Sequence, residues 1–184
     1  MPKYKSESGN MQSKRHFESL SEEEQERLFN SIETFEDLVL FKLALTTGIR
    51  REDIVGIELG GVDLNNRTIT FWEHKKKRFH TVPIASSLLP DLKRYLNSIP
   101  KGQKKLFTFT GRTAYNKLQY YLKKAGINKK LAFHDLRRTF VKTAKKKGLS
   151  IKAVSQITGD RVSTVEEYYA NLDMEELKEE VDKL

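Results

Sequence analysis

The stretch TFEDLVLFKLALTTG, residues 34–48, constrains the fold more than any other part of the chain. Its apolar residues fall on every side of a helix, and a helix of that kind has to be buried. Thr34 with Asp37 reads as a capping box at its start, and Gly48 suits the position just past its end. A chain of 184 residues can build one real core around such a helix and is short for two.

The flanking segments read as the cover. In LSEEEQERLFNSI, Ser21 and Glu24 form a second capping box, and Leu28 and Ile32 supply an apolar stripe. RREDIVGIEL reads as a further helical turn or two. RTITFW and KRFHTVPI carry a β pattern and are joined by the basic EHKKK. Helices are expected at about 87–97, 113–125 and 135–147, the last two stopped by Gly126 and Gly148. Ser150 caps IKAVSQIT, which ends at Gly159, and Ser163 is expected to cap the next helix. The closing MEELKEEVDKL places Leu177, Val181 and Leu184 on one face. Residues 1–18 are polar and aperiodic and read as a flexible tail, leaving 19–184 as the folded unit. The expected fold class is mostly α with a small antiparallel β-sheet near residues 67–84.

With no cysteine, disulfides and thiolate metal sites are excluded, and a cytoplasmic protein is expected. No stretch approaches the roughly 20 apolar residues of a membrane span. The net charge of +9 is uneven: residues 101–147 hold 15 Lys/Arg against the single acid Asp135. Such a concentrated field is the usual footprint of a polyanion partner, although a solvated lysine-rich surface has the same composition.

Four separated segments carry residue types suited to a phosphodiester. In TTGIRRED, Arg50 follows a glycine-terminated helix, where its planar fork could take two phosphate oxygens, cap carbonyls or pair with Asp53. EHKKKRF offers a hairpin lysine able to protonate a leaving alkoxide, or simply a solvated loop. In FHDLRRTF, His134 and Arg137 are three residues apart and share a helix face. VSTVEEYYANLD contains two tyrosines; a phenol is a usable nucleophile when cations stabilise its anion. Val162, Val165, Tyr169 and Leu172 form one apolar stripe, so Tyr169 belongs to packing, and Tyr168 is offset by about 100°.

The order Arg, hairpin Lys, His-x-x-Arg, Tyr resembles the tyrosine recombinase (phage-type integrase) family, from about Leu20 onward. The resemblance implies a catalytic domain that cleaves and rejoins DNA strands through a 3′-phosphotyrosine, with no cofactor and no metal. It implies double-stranded DNA as partner and self-association on DNA, with the C-terminal segment docking on a neighbouring subunit. By this likeness Arg50 and Arg137 clamp the scissile phosphate, His134 handles protons, and Asp53 supports the site. Lys75 is the matching lysine, seven residues before Val82, with Lys76 and Lys77 as alternatives. Tyr168 matches the nucleophile by its surroundings, whereas counting nine residues from Asp160 gives Tyr169. One departure stands out: TGDRV has Asp160 where the family usually has His or Trp, and Arg161 is a possible substitute contact. The family's N-terminal DNA-clamp domain is expected to be absent. A type IB topoisomerase and a non-catalytic DNA-binding module are the competing readings, the second kept alive by Asp160.

Overall fold

The structure is a computed structural model and describes residues 18–170 and 174–183. At its centre lies α2 (Phe35–Thr47), with Val39, Leu40, Phe41 and Leu43 wholly buried. α6 (Phe133–Lys146), α4 (Leu89–Ser98) and α3 (Arg51–Val55) pack against it, while α1 (Glu22–Ser31) and α5 (Gly111–Lys124) pack together. α7 (Ile151–Thr158), α8 (Val162–Ala170) and α9 (Met174–Val181) complete the helices among the described residues.

The caps behave as local rules dictate, with two exceptions. The Ser21–Glu24 box is complete on α1. Thr34 accepts from the Asp37 backbone, but the reciprocal half is missing because the Asp37 side chain turns inward. There it accepts from Lys117 Nζ and Tyr121 Oη, both at 2.6 Å, tying α5 to α2. Burial, then the Asp37 carboxylate, pushes the Tyr121 phenol well above its ordinary pKa of 10. Ser163 lies inside α8, which starts at Val162; the Arg161 carbonyl opens that helix by accepting from Thr164 and Val165. α6 begins two residues before the expected start, because the Asp135 side chain reaches back to the Ala132 amide at 2.7 Å.

The sheet has three antiparallel strands in the order β1 (Val62–Asp63), β2 (Thr68–Glu73), β3 (Arg78–Pro83). β1 is too short to leave a periodic signal in the sequence. Ile69 pairs with Val82 and Phe71 with His80. Alternation sends Ile69, Phe71 and Glu73 to the covered face, and Trp72 and Phe79 meet edge to face at 5.1 Å on the open one.

Two apolar clusters share α6. Phe133 and Leu136 belong to the main core built on α2, whereas Phe140, Val141 and Ala144 join Val154 of α7 and Val165 of α8. The intervening Arg137 therefore sits at the seam. The apolar face of α9 is not packed in this structure: Leu177 and Val181 are exposed. Leu184 and residues 1–17 of the expected 1–18 tail lie outside the described residues.

These packings predict unequal tolerance. Leu43→Ala, at a fully buried site, should lower the stability read from urea unfolding by about 2–5 kcal/mol. Leu177→Ser, at a site 41% exposed, should stay within about 0.5 kcal/mol of the parent.

Candidate active site

The loop after α2 is where the site starts. Gly48 holds φ 63°, the left-handed region, and a Cβ there would lie 2.9 Å from Phe140 Cδ1 and 3.2 Å from Arg137 Cγ. Both the backbone angle and the close approach of α6 require glycine. The Gly48 carbonyl accepts from Arg137 Nη1 at 2.6 Å, so the end of α2 holds the arginine in place. Two residues later Arg50 leaves in an extended conformation at the start of α3.

The two arginines meet at a single carboxylate. Arg50 Nη2 donates to Asp160 Oδ1 at 3.0 Å. Arg137 donates to Asp160 Oδ2 from Nε at 3.1 Å and pairs through Nη2 at 2.6 Å. The remaining partner of Arg137 is the Thr158 carbonyl, at 2.7 Å from Nη2. Burial pulls the pKa of Arg137 down from its ordinary value, and Asp160 works in the opposite direction.

Glu73, which the sequence reading passed over, fixes the other side of Arg50. Its side chain is 1% exposed and accepts from Arg50 Nη1 at 2.7 Å and Arg78 Nε at 3.1 Å. Desolvation raises the pKa of this carboxyl, but the bonds from Arg78 and Arg50 outweigh it and hold the group below its usual range. A signal existed: period-2 alternation puts residue 73 on the same face as Ile69 and Phe71, and an inward carboxylate needs cationic partners.

A cleft of about 450 Å³ takes in some of the expected residues, but not Arg137, Asp160 or Tyr168. Arg50, Lys75 and His134 line it, together with Asp53, His74 and Tyr115. Asp53 does not touch Arg50 through any hydrogen bond; its Oδ1 accepts from the His74 backbone at 3.0 Å and lies 2.8 Å from the His74 ring. His74, exposed and held by this acid, is a second residue the sequence reading did not single out. Lys76 bonds the Gly159 carbonyl, next to Asp160. Lys77 sits at the hairpin turn with φ 50°, and Arg161 is exposed.

Of the two tyrosines, Tyr169 donates its hydroxyl to the Leu149 carbonyl at 2.8 Å, and burial raises its pKa. Tyr168 also packs in part against the second apolar cluster, and it lies near enough to Arg137 for their charges to interact. Among the described residues no group of three or more His, Asp or Glu is placed to hold a metal ion.

His134 keeps an exposed edge, yet desolvation by its surroundings, followed by the charges of Arg138 and Arg137, lowers its pKa below 6.5. An imidazole with a lowered folded-state pKa takes up its proton more readily when the chain unfolds. Stability from this group is complete above pH about 6.5 and declines as pH falls toward the folded-state value. His134→Gln should therefore lose less melting temperature than the parent between pH 7 and 5, as followed by circular dichroism.

Known proteins resemble this chain over most of its length. Residues 18–176 match the phage integrase family. Tyrosine recombinase XerA of Saccharolobus solfataricus is 25% identical over 167 residues, which cover 91% of this chain and 56% of that protein. XerA of Pyrococcus furiosus is 26% identical, with 90% and 61% covered. The crystal structure of XerA recombinase matches with a TM-score of 0.80 at 26% identity, over 90% of this chain and 64% of that one. XerH site-specific recombinase bound to palindromic difH substrate, in a post-cleavage complex, shares the fold with a TM-score of 0.73 at 21% identity, over 89% and 52%. The chain thus spans 56% and 61% of the lengths of these two curated relatives. The match runs from the residue before Ser19 into the first turn of α9 and takes in every segment of the site, so the chain belongs to the phage integrase family.

Proposed function

We propose that this chain is the catalytic domain of a site-specific DNA recombinase that exchanges strands by transesterification through a 3′-phosphotyrosine. The observation that carries the reading is the convergence of Arg50 and Arg137 on one anion. Two guanidinium groups on separate elements, each braced by partners from behind, form a seat for the non-bridging oxygens of a phosphodiester.

In the forward step the Tyr168 oxygen attacks the phosphorus, the bond to O5′ breaks, and the 3′ phosphate becomes esterified to the phenol. His134 takes the phenolic proton; its lowered pKa keeps the imidazole neutral, and so able to accept, at neutral pH. Lys75, which lines the same cleft as Arg50 and His134, protonates the departing O5′. A 5′-hydroxyl of another strand reverses the step, and because the ester link conserves the bond energy no nucleotide cofactor enters. Tyr169 faces the Leu149 carbonyl, whereas Tyr168 lies near Arg137, which supports Tyr168 as nucleophile. Double-stranded DNA in the cytoplasm is the substrate, gripped in part by the basic segment. The exposed Met174, Leu177 and Val181 of α9 support docking of this helix on a second copy assembled on DNA. That α9 edge also favours a recombinase over a topoisomerase acting as a monomer.

A nicked suicide duplex tests the chemistry. The parent and Tyr169→Phe should yield an SDS-resistant protein–DNA adduct and Tyr168→Phe none; an adduct from Tyr168→Phe, or none from the parent fused to a DNA-clamp domain, defeats the reading. The proton donor is tested with a sulfur atom in place of the bridging O5′, since a thiolate leaves without being protonated. Lys75→Ala should cleave the oxygen substrate at least about 10²-fold more slowly than the parent and the sulfur substrate at a near-parental rate. Such a rescue in Lys76→Ala instead would move the role to Lys76.

A further inference from the structure

The carboxylate between the arginines belongs to the chain itself. Asp160 Oδ1 lies on Arg50 and Oδ2 on Arg137, so one group spans both cations in the way the two non-bridging oxygens of a phosphodiester would. The donors it uses are the ones a phosphate would need. Arg137 has given Nη1 to Gly48 and shares Nη2 with Thr158, and Arg50 has given Nη1 to Glu73. An incoming anion therefore meets a seat whose inward-facing N–H groups are already engaged, and a negative charge where it needs a positive one.

We propose that Asp160 is an intramolecular stand-in for the scissile phosphate, a latch that fills the anion seat of the free protein and has to swing out before DNA can occupy it. The inference rests on the reading of Arg50 and Arg137 as the phosphate clamp. Three features suit a latch better than a permanent strut. Glu73, at 1% exposure, already braces Arg50, whereas the Asp160 side chain is 14% exposed. The backbone of Asp160 is held independently of its side chain: its amide donates to Thr158 Oγ1 at 3.2 Å, and its carbonyl accepts from Ser155 Oγ at 2.7 Å. Rotation of the side chain can thus clear the seat without disturbing those two bonds. Arg137 also keeps the Gly48 and Thr158 carbonyls when the carboxylate leaves, so its guanidinium stays oriented.

A strut and a latch predict opposite results when the charge is removed. The probe is inorganic phosphate, titrated into the full chain and followed at the Nε–H nuclear resonances of Arg50 and Arg137, so that anions bound at distant lysines are not scored. For Asp160→Asn and Asp160→Ser, phosphate should bind at this seat about tenfold or more tighter than in the parent. The serine variant guards against a poorly folded asparagine protein and against an amide that bridges the arginines as the acid does. Affinity unchanged or weakened in both variants overturns the latch. The nicked suicide duplex separates this outcome from the broader reading. Tighter phosphate together with faster adduct formation supports both. Tighter phosphate with no adduct from any variant strikes the recombinase reading and leaves the seat intact. Unchanged phosphate with normal adduct strikes the latch alone.

Discussion

Two guanidinium groups held a few ångströms apart repel each other by on the order of several kcal/mol at the dielectric of a protein surface. Almost everything around the site can be understood as compensation for that repulsion. Glu73 neutralises Arg50 from behind, Asp160 lies between the two cations, and carbonyls of Gly48 and Thr158 take the outward donors of Arg137. The compensating groups come from three separate places: the end of α2, the last inward position of β2, and the end of α7 with the turn that follows it. The arginine pair can exist only if those elements are packed in register, which ties the function to the integrity of both apolar clusters.

What could be read in advance divides along the range of the forces involved. Ser21, Thr34, Gly48, Ser150 and Gly159 act on backbone groups within four residues, so their caps were legible and are present, apart from the Asp37 half of the Thr34 box. Ser163 was expected as a cap but lies one residue inside α8, whose first backbone bonds go to the carbonyl of Arg161. Glu73 was overlooked because its meaning depends on Arg50, 23 residues away, and on Arg78 across the hairpin. Pairing with Arg50 was one reading open for Asp53, which instead holds His74; sequence spacing of three residues says nothing about a hairpin folding over the same helix. Arg50, Lys75 and His134 were singled out by type and order along the chain, and the fold brings all three to the wall of one cleft.

The basic segment was legible as a total but not as a surface. Lys117, Lys124 and Lys129 are paired with Asp37, Glu33 and Glu24 of the first two helices and their linker. These lysines serve to fasten α1 and α2 to the rest, and the field available to an external polyanion is smaller than the count of 15 implies. Charge pairing at a sequence distance of 80 residues or more, as for Lys117 with Asp37, leaves no local trace.

The glycine at position 159 gives the turn after α7 a left-handed step, with φ 71°, and immediately beyond it come Asp160 and then α8. The acid at the arginines and the helix bearing Tyr168 are consequently hung from one short arm. A backbone shift of that arm would carry both ends together, whereas rotation of the Asp160 side chain about its own bonds leaves the helix where it is.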